Sequence, residues 1–224
     1  MKRYDVYALG NALVDLEYRV EAETLAALGV DKGVMTLVDE ARQAELMAAL
    51  AGREVGRGSG GSAANTVTAV AQLGGRAFYS CRVADDELGR FYVQDLLHAG
   101  VESNVHPARH GEGHTGRCLV FVTPDADRTM NTFLGVSAAF AAEDVDEAAV
   151  AAARWLYIEG YLVAGEPTRG AAEYAMERAR SCGTPVALSL SDPNIVRHFR
   201  PVLEAWLDAG GRPRVLPTRP RPAT

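Results

Sequence analysis

A glycine-rich stretch at residues 58–66, followed by the apolar helical pattern of residues 67–75, constrains the fold more than any other part of this chain. Glycines let the backbone approach a ligand closely, and the small residues that follow predict a helix whose free N–H groups and positive dipole end face the same place. We therefore expect a polar or anionic ligand here. Asn65 offers two donors and one acceptor, which suits a polyhydroxylated ligand better than a bare anion.

Two other interpretations of this stretch stay open. Gly56, Gly58 and Gly61 have the GxGxxG spacing of dinucleotide-binding proteins, but that motif requires a preceding core strand, and residues 52–55 make a poor one. The stretch can also be a glycine-rich turn that leads into an ordinary buried helix.

Composition limits the classes of protein to consider. The 224 residues are 48% hydrophobic and carry a net charge of −6, which describes a globular chain and argues against a nucleic-acid partner. The N-terminal residues show no signal-peptide pattern, and no apolar run reaches the length of a membrane span, so we expect a cytoplasmic protein without a membrane partner. Cys81, Cys118 and Cys182 form no CxxC pair and are predicted to be reduced core residues.

Strands and helices alternate along most of the chain, which predicts a mainly parallel sheet covered by helices on both faces. Ligands bind at the carboxyl ends of such strands. Asn11 and Asp15 follow the apolar run 6–10, and residues 192–194 (Asp-Pro-Asn) follow the apolar run 185–190. Asp15 can accept hydrogen bonds from paired sugar hydroxyls, or it can be a solvated turn residue.

Residues 101–135 differ from this pattern, because three short strand-like runs are joined by turn-rich segments. We expect a small antiparallel sheet that forms a lid or an interface. His106, His110 and His114 are spaced by four residues, but the intervening Pro107 and glycines are incompatible with the helix that would align them as metal ligands.

Six motifs together resemble the PfkB carbohydrate-kinase family, the ribokinase-like enzymes that include adenosine kinase. In chain order they are Gly10-Asn11 with Asp15, residues 60–65 (GGSAAN), residues 84–89 (ADDELG, with alanine replacing the first glycine of the family's GxDxxG), residues 128–132, residues 157–161 and residues 192–194. The match runs from about residue 6 to residue 207. The spacing from Gly10 to Asp15 resembles the nucleoside-kinase branch more than ribokinase itself.

The resemblance implies a three-layer α/β/α Rossmann-like ribokinase fold with a small β lid, formed by strands at about 12–38 and 101–135. It also implies transfer of the γ-phosphoryl group of ATP, with Mg²⁺, to the hydroxymethyl group of a sugar or nucleoside. Residues implied on the substrate side are Asn11, Asp15, Gly60, Gly61, Asn65, Arg128 and Tyr161, and those on the nucleotide side are Asp192 and Asn194. Asp15 and Asn65 would hold ring hydroxyls, while the lid would exclude water.

The family's GAGD segment, whose Asp takes the proton from the acceptor hydroxyl, does not occur in the printed sequence, so no catalytic residue is assigned. We expect residues 1–207 to be an incomplete ribokinase-like domain whose C-terminal half is missing, and binding of ATP and Mg²⁺ by this chain is in doubt. Residues 208–224 contain one acid, four arginines and four prolines. They are expected to be a disordered or frameshifted tail, and the remaining alternative is an arginine arm for nucleic acid or an acidic partner.

Three functions remain at this stage. The first is a phosphotransferase present as a catalytically incomplete fragment. The second is a sugar- or nucleoside-binding protein without enzymatic activity, and the third is a dinucleotide-binding oxidoreductase. An incomplete sheet would leave an unpaired edge, so a homo-oligomer formed through the lid or that edge is also expected.

Overall fold

The computed structural model describes residues 2–106, 113–209 and 214–216. The strands are β1 (Tyr4–Leu9), β2 (Leu13–Arg19), β3 (Met35–Leu37), β4 (Glu54–Gly60), β5 (Ala77–Ser80), β6 (Glu102–Ser103), β7 (Gly116–Val122), β8 (Arg128–Phe133), β9 (Ala153–Glu159), β10 (Val186–Ser189) and β11 (Arg214–Leu216). The α-helices are α1 (Ala22–Ala27), α2 (Glu40–Ala49), α3 (Ser62–Gln72), α4 (Glu87–His98), α5 (Glu147–Ala152), α6 (Glu166–Ser181) and α7 (Pro193–Ala209).

Within the described residues, the main sheet has six parallel strands in the order β11-β10-β9-β1-β5-β6. Apolar side chains of α3 and α4 pack on one face, and those of α5, α6 and α7 pack on the other. Both faces of β1 are therefore buried, as its continuous apolar sequence predicts. The predicted three-layer α/β/α fold is confirmed.

The second sheet has five strands in the order β3-β8-β7-β2-β4. On one face, Leu16 and Phe121 belong to the same apolar core as Leu25 of α1 and Leu46 of α2. The opposite face contains Asp15, because side chains alternate between the faces of a strand. This sheet is thus covered by helices on one side, and its other side includes the principal candidate ligand group.

Two helix starts follow their local sequence signals. The Asp39 side chain accepts a hydrogen bond from the Arg42 backbone at the start of α2, at 2.8 Å. The Asp86 side chain accepts from the backbone of Gly89 at the start of α4, at 2.7 Å. The short side chain of Asp satisfies backbone N–H groups that have no partner within the helix, so both residues are N-caps.

The expected antiparallel sheet at residues 101–135 is wrong in two respects. β6 joins the main sheet beside β5. β7 and β8 are antiparallel to each other, but they pair in parallel with β2 and β3, which makes the second sheet mixed. These long-range pairings depend on strands that lie far apart in the sequence, so local strand signals do not reveal them.

Other local expectations also need correction. Gly56 and Gly58 lie inside β4, an exposed strand of the second sheet, and not in a loop between a core strand and a helix, so the dinucleotide motif is absent. Cys182 is exposed, whereas Cys81 and Cys118 are buried as predicted. Part of the predicted disordered tail, β11, pairs in parallel with β10.

Some expectations lie outside the described residues, namely those for His110, residues 210–213 and residues 217–224. Within the described part of the chain, no helix has both the length and the apolar composition needed to cross a membrane.

Candidate functional site

The carboxyl ends of β1 and β9 meet at a buried glutamate, Glu159, which is 1% exposed. Its carboxylate accepts hydrogen bonds from the backbone and side-chain nitrogens of Asn11, at 2.7 and 3.0 Å. It also accepts from the Ser62 hydroxyl at 2.6 Å and from the Ala63 backbone at 2.9 Å. One side chain thereby joins the segment after β1, the first turn of α3 and the end of β9.

Burial raises the pKa of Glu159, and the hydrogen bonds from Asn11, Ser62 and Ala63 act in the opposite direction. No role was predicted for Glu159 from the sequence, although residues 157–161 form one of the motifs that resemble the family. The available signal was an acid directly after the apolar run 154–158, at the edge of the sheet where ligands bind.

The glycines next to this carboxylate are required by close contacts. A Cβ on Gly10 would lie 2.7 Å from the Glu159 carboxyl group and from the Ala63 side chain. Gly61 has a φ of +101°, and a Cβ there would lie 2.2 Å from the backbone oxygen of Asn11. The group that approaches Gly61 closely is therefore the backbone of Asn11 and not a ligand. This contact positions the start of α3.

Asp15 lies on β2, on the face of the second sheet that the helices do not cover. A Cβ on Gly60 would lie only 2.4 to 2.6 Å from the carboxyl atoms of Asp15, so the bare backbone of Gly60 covers one side of this group. Burial raises the pKa of Asp15 to about 6, and the charge of Arg128 acts in the opposite direction. No residue in the described ranges donates a hydrogen bond to this carboxylate.

The neighbours of Asp15 on this face follow from the strand register. Gly58 of β4 lies opposite Asp15 on one side, and Cys118 of β7 lies opposite on the other. A Cβ on Gly58 would meet no atom within 4 Å. Burial raises the pKa of the Cys118 thiol to about 12, and this thiol accepts a hydrogen bond from the Thr132 hydroxyl at 3.4 Å. Asp15 therefore has open space towards β4 and a neutral thiol towards β7.

Tyr161 and Asp192 lie at the ends of β9 and β10. Burial raises the pKa of Tyr161 to about 12, and the charges of Asp192 and Glu159 add to this effect. The Asp192 carboxylate accepts a hydrogen bond from the backbone of Asn194 at 2.7 Å, which makes it a cap for α7. The Asn194 side chain is exposed and accepts from Arg197 at 3.3 Å, so it serves its own helix.

Asn65 is exposed in the first turn of α3, and its backbone nitrogen donates to the Gly61 oxygen at 2.9 Å. The structure thus places Asp15 and Asn65 on either side of the Gly60–Gly61 pair. Of the residues implied by the resemblance, those that surround this pair or the Glu159 carboxylate are Asn11, Asp15, Asn65, Arg128 and Tyr161. Asp192 borders Tyr161, and Asn194 lies further out on α7.

An apolar cavity of about 230 Å³ lies on the same side of the second sheet. Thr132, one of its lining residues, is the strand neighbour of Cys118. The remaining lining residues are Leu37, Val38, Asp39, Glu40, Phe133, Leu134, Gly135 and Ala138. A carboxylate on β2 and an apolar cavity beside β8, with one strand (β7) between them, suit a ligand that has both hydroxyl groups and an apolar part.

An α/β/α domain with polar groups at the carboxyl ends of its central strands, and a second sheet carrying a carboxylate beside them, defines a class of small-molecule-binding proteins. Residues 30–209 match the family described as pfkB family carbohydrate kinase. The chain belongs to this family, as the motif resemblance predicts.

Individual relatives agree with this assignment. The chain is 37% identical to an adenosine kinase from Sinorhizobium meliloti, with a TM-score of 0.86 over 95% of this chain and 64% of that one. It is 35% identical to a probable sugar kinase from Rhizobium etli CFN 42, with a TM-score of 0.89 over 96% of this chain and 64% of that one. It is also 32% identical, over 133 residues, to 5-dehydro-2-deoxygluconokinase from Geobacillus kaustophilus, which is 58% of this chain and 40% of the relative. The chain therefore spans less than two thirds of the length of each of these proteins.

Proposed function

We propose that this chain carries the acceptor-binding half of an ATP-dependent phosphotransferase and that it binds a sugar or a nucleoside through its ring hydroxyls. The observation that carries the proposal is the Asp15 carboxylate, which is half-buried and accepts no hydrogen bond from the described residues. An ionised carboxylate has acceptor sites on both oxygens, which match two neighbouring hydroxyl groups. A ligand diol would supply hydrogen bonds that the described residues do not supply to this half-buried group.

The remaining residues have supporting roles in this proposal. Asn65 is exposed beside Gly61 and offers its amide to a ring hydroxyl. Asn11 is held by Glu159 and forms the wall of the site. Arg128 lies close enough to lower the pKa of Asp15, so its positive charge is available on the side where an anionic group would be transferred.

A nucleoside acceptor is favoured over a simple sugar by the apolar cavity beside Thr132, because a base has an apolar face that such a cavity can hold. The Sinorhizobium meliloti relative, an adenosine kinase, supports the same choice. The similarity to a probable sugar kinase and to 5-dehydro-2-deoxygluconokinase supports a sugar as the alternative acceptor.

We infer that the second sheet acts as the lid of the site, because its face with Asp15 adjoins the carboxyl ends of the main sheet. Closure of such a lid would exclude water and prevent hydrolysis of ATP. The opposite face is already covered by α1 and α2, so homo-oligomer formation is proposed only through an exposed edge strand, β4 or β11. Sedimentation of the purified chain tests this second point.

Kinases of this family use ATP and Mg²⁺, and the γ-phosphoryl group of ATP would supply the transferred group. We propose Asp192 and Asn194 for the nucleotide side and Tyr161, at the end of β9, for the substrate side. Asp192 and Asn194 already make hydrogen bonds within the α7 cap. The described ranges contain no cluster of three His, Cys, Asp or Glu side chains that fits a metal ion. We therefore assign no magnesium ligand among the described residues and derive no step through the metal.

The proposal is tested by calorimetric titration of the chain with adenosine, 2′,3′-dideoxyadenosine and 5-dehydro-2-deoxygluconate. Adenosine is expected to bind, and loss of both ribose hydroxyls is expected to weaken binding by about 100-fold, the effect of leaving a half-buried charged acceptor without its donors. Asp15→Asn should weaken adenosine binding similarly, whereas Asp31→Asn, at an exposed aspartate, should leave it unchanged. Equal affinity for adenosine and its dideoxy analogue would contradict the role of Asp15.

Phosphoryl transfer is measured separately, by incubating the chain with ATP, Mg²⁺ and the bound acceptor and quantifying the phosphorylated product. Product formation that requires Asp15 supports the kinase. Binding without product favours the non-enzymatic sugar- or nucleoside-binding protein.

A further inference from the structure

Tyr92 of α4 is fully buried, and its hydroxyl donates a hydrogen bond to the backbone oxygen of Gly60 at 3.0 Å. The residue before Gly60 is tied to the same helix, because the backbone nitrogen and the hydroxyl of Ser59 both donate to the Asp95 carboxylate. Two consecutive residues at the end of β4 are therefore held by side chains one turn apart on α4.

Gly60 is also the residue whose backbone covers the carboxyl group of Asp15. A movement of the end of β4 away from β2 would admit water to this carboxyl group. Tyr92 and Asp15 also interact electrostatically, since the negative charge of Asp15 contributes to raising the pKa of Tyr92, after burial, Cys81 and Glu159. Helix α4 thus contacts Gly60, and Gly60 in turn contacts Asp15.

We propose that Tyr92 is a positioning residue for the hydroxyl-binding site, because its hydrogen bond holds Gly60 against Asp15 and so sets the position and the hydration of that carboxylate. The ligand of this site is the sugar or nucleoside of the proposed function, and the part of the inference that concerns the ligand rests on that function. The positioning itself is a property of the ligand-free chain and can be measured without a ligand.

Three titratable or charged groups from neighbouring elements face Asp15. They are Arg128 of β8, the Cys118 thiol of β7 and the Tyr92 hydroxyl of α4. Glu17 follows on the same face of β2, two residues along. Tyr92→Phe removes one oxygen atom and leaves Arg128, Cys118 and Glu17 in place, so a change in the titration of Asp15 reports on the contact with Gly60.

The first measurement follows the ¹³C chemical shift of the Asp15 carboxyl group with pH in the ligand-free chain. The wild-type midpoint is expected at about 6. Tyr92→Phe should move it down, towards the ordinary range of an aspartate, because the released Gly60 lets water reach the charged form. Adenosine affinity should fall by about tenfold, which corresponds to the loss of one net hydrogen bond.

Tyr7→Phe is the matched control. Tyr7 is also fully buried, and its hydroxyl bonds to the Ser80 hydroxyl at 2.7 Å and to the Asp146 backbone at 3.2 Å, among the core residues on the other face of the main sheet. The Tyr7→Phe substitution should lower the melting temperature about as much as Tyr92→Phe does. The Asp15 midpoint and the adenosine affinity should stay at their wild-type values.

An unchanged Asp15 midpoint in Tyr92→Phe overturns the inference, and so does an equal shift in both variants, because that would report general loosening. A shift confined to Tyr92→Phe in a chain that binds no adenosine supports the positioning and contradicts the proposed function. If Tyr92→Phe does not fold, Asp95→Asn weakens the adjacent tie to Ser59 and should shift the midpoint in the same direction by a smaller amount. A folded Asp95→Asn variant with the wild-type midpoint then overturns the inference.

Discussion

Glu159 and Asp15 are two carboxylates that the fold removes from water in different ways. Glu159, at the end of the main sheet, accepts four hydrogen bonds from three residues of its own chain. Asp15, on the second sheet, is covered by Gly60 but accepts none from the part of the chain that the structure describes. A buried charge whose hydrogen bonds are satisfied supports the fold, whereas a half-buried charge that receives none from the chain opposes folding until a ligand supplies the donors.

The same difference appears in the surroundings of the two groups. Around Glu159, the glycines are in contact with other atoms, and even one added methyl group on Gly10 has no room. Next to Asp15, a Cβ added to Gly58 would have no atom of the described residues within 4 Å, apart from those of its chain neighbours. The end of the main sheet is closed by its own residues, while the second sheet leaves space beside its carboxylate. We therefore expect substitutions in the two regions to have opposite effects on stability.

The largest effect is expected for Glu159→Gln. The amide nitrogen of glutamine would face N–H or O–H donors that now point at a carboxylate oxygen, so at least one buried donor loses its acceptor. We expect the free energy of unfolding, measured with urea, to fall by about 3 kcal/mol. Glu177→Gln, at an exposed position on α6, is the control and should change it by less than about 0.5 kcal/mol. A Glu159→Gln variant as stable as the wild type would show that this carboxylate does not hold the three segments together.

Asp15→Asn is expected to have the opposite sign. The pKa of Asp15 is about 6 in the folded chain, above the ordinary aspartate value of 3.8, so the folded state binds the proton more tightly than the unfolded state. Above pH 6 the ionised form opposes folding, and the substitution should raise the free energy of unfolding by about 2 kcal/mol. The gain should shrink as the pH falls from 6 to 4, where Asp15 becomes protonated in the folded state.

Urea unfolding of both proteins at pH 4, 6 and 8 measures this dependence. A gain that is the same at all three pH values would contradict ionisation of Asp15 as its cause. A loss of stability at pH 8 would mean that Asp15 is satisfied within the chain, and the contrast with Glu159 would disappear.

The smallest effect is expected at Gly58. Its backbone φ is not positive and there is open space around its Cβ position, so Gly58→Ala should raise the free energy of unfolding by about 0.5 kcal/mol through the lower entropy of the unfolded chain. The matched substitution Gly10→Ala should lower it by about 1 to 3 kcal/mol, because the added methyl group overlaps the Glu159 carboxyl group. Thermal unfolding of the two variants compares the regions directly, and a loss of stability in both would contradict the open space beside Asp15.

The candidate residues could be selected from local signals at strand and helix ends. Asp15 and Asn65 were predicted to bind one ligand, and that shared role stays a prediction, while the structure shows that both residues adjoin the Gly60–Gly61 pair. The role of Glu159 was missed, since its four hydrogen bonds come from residues about 100 to 150 positions away in the chain. The interpretation of Gly58 as part of a loop was wrong, because the strand β4 forms only through pairing with β2.

By itself, the sequence determined the alternation of strands and helices and the family motifs, because each of these depends on residues within a few positions of one another. Only the tertiary structure decided which carboxylate is satisfied and which is left for a ligand. That outcome depends on which distant segments pack around each group, since burial and hydrogen bonding of a side chain are properties of its three-dimensional neighbours.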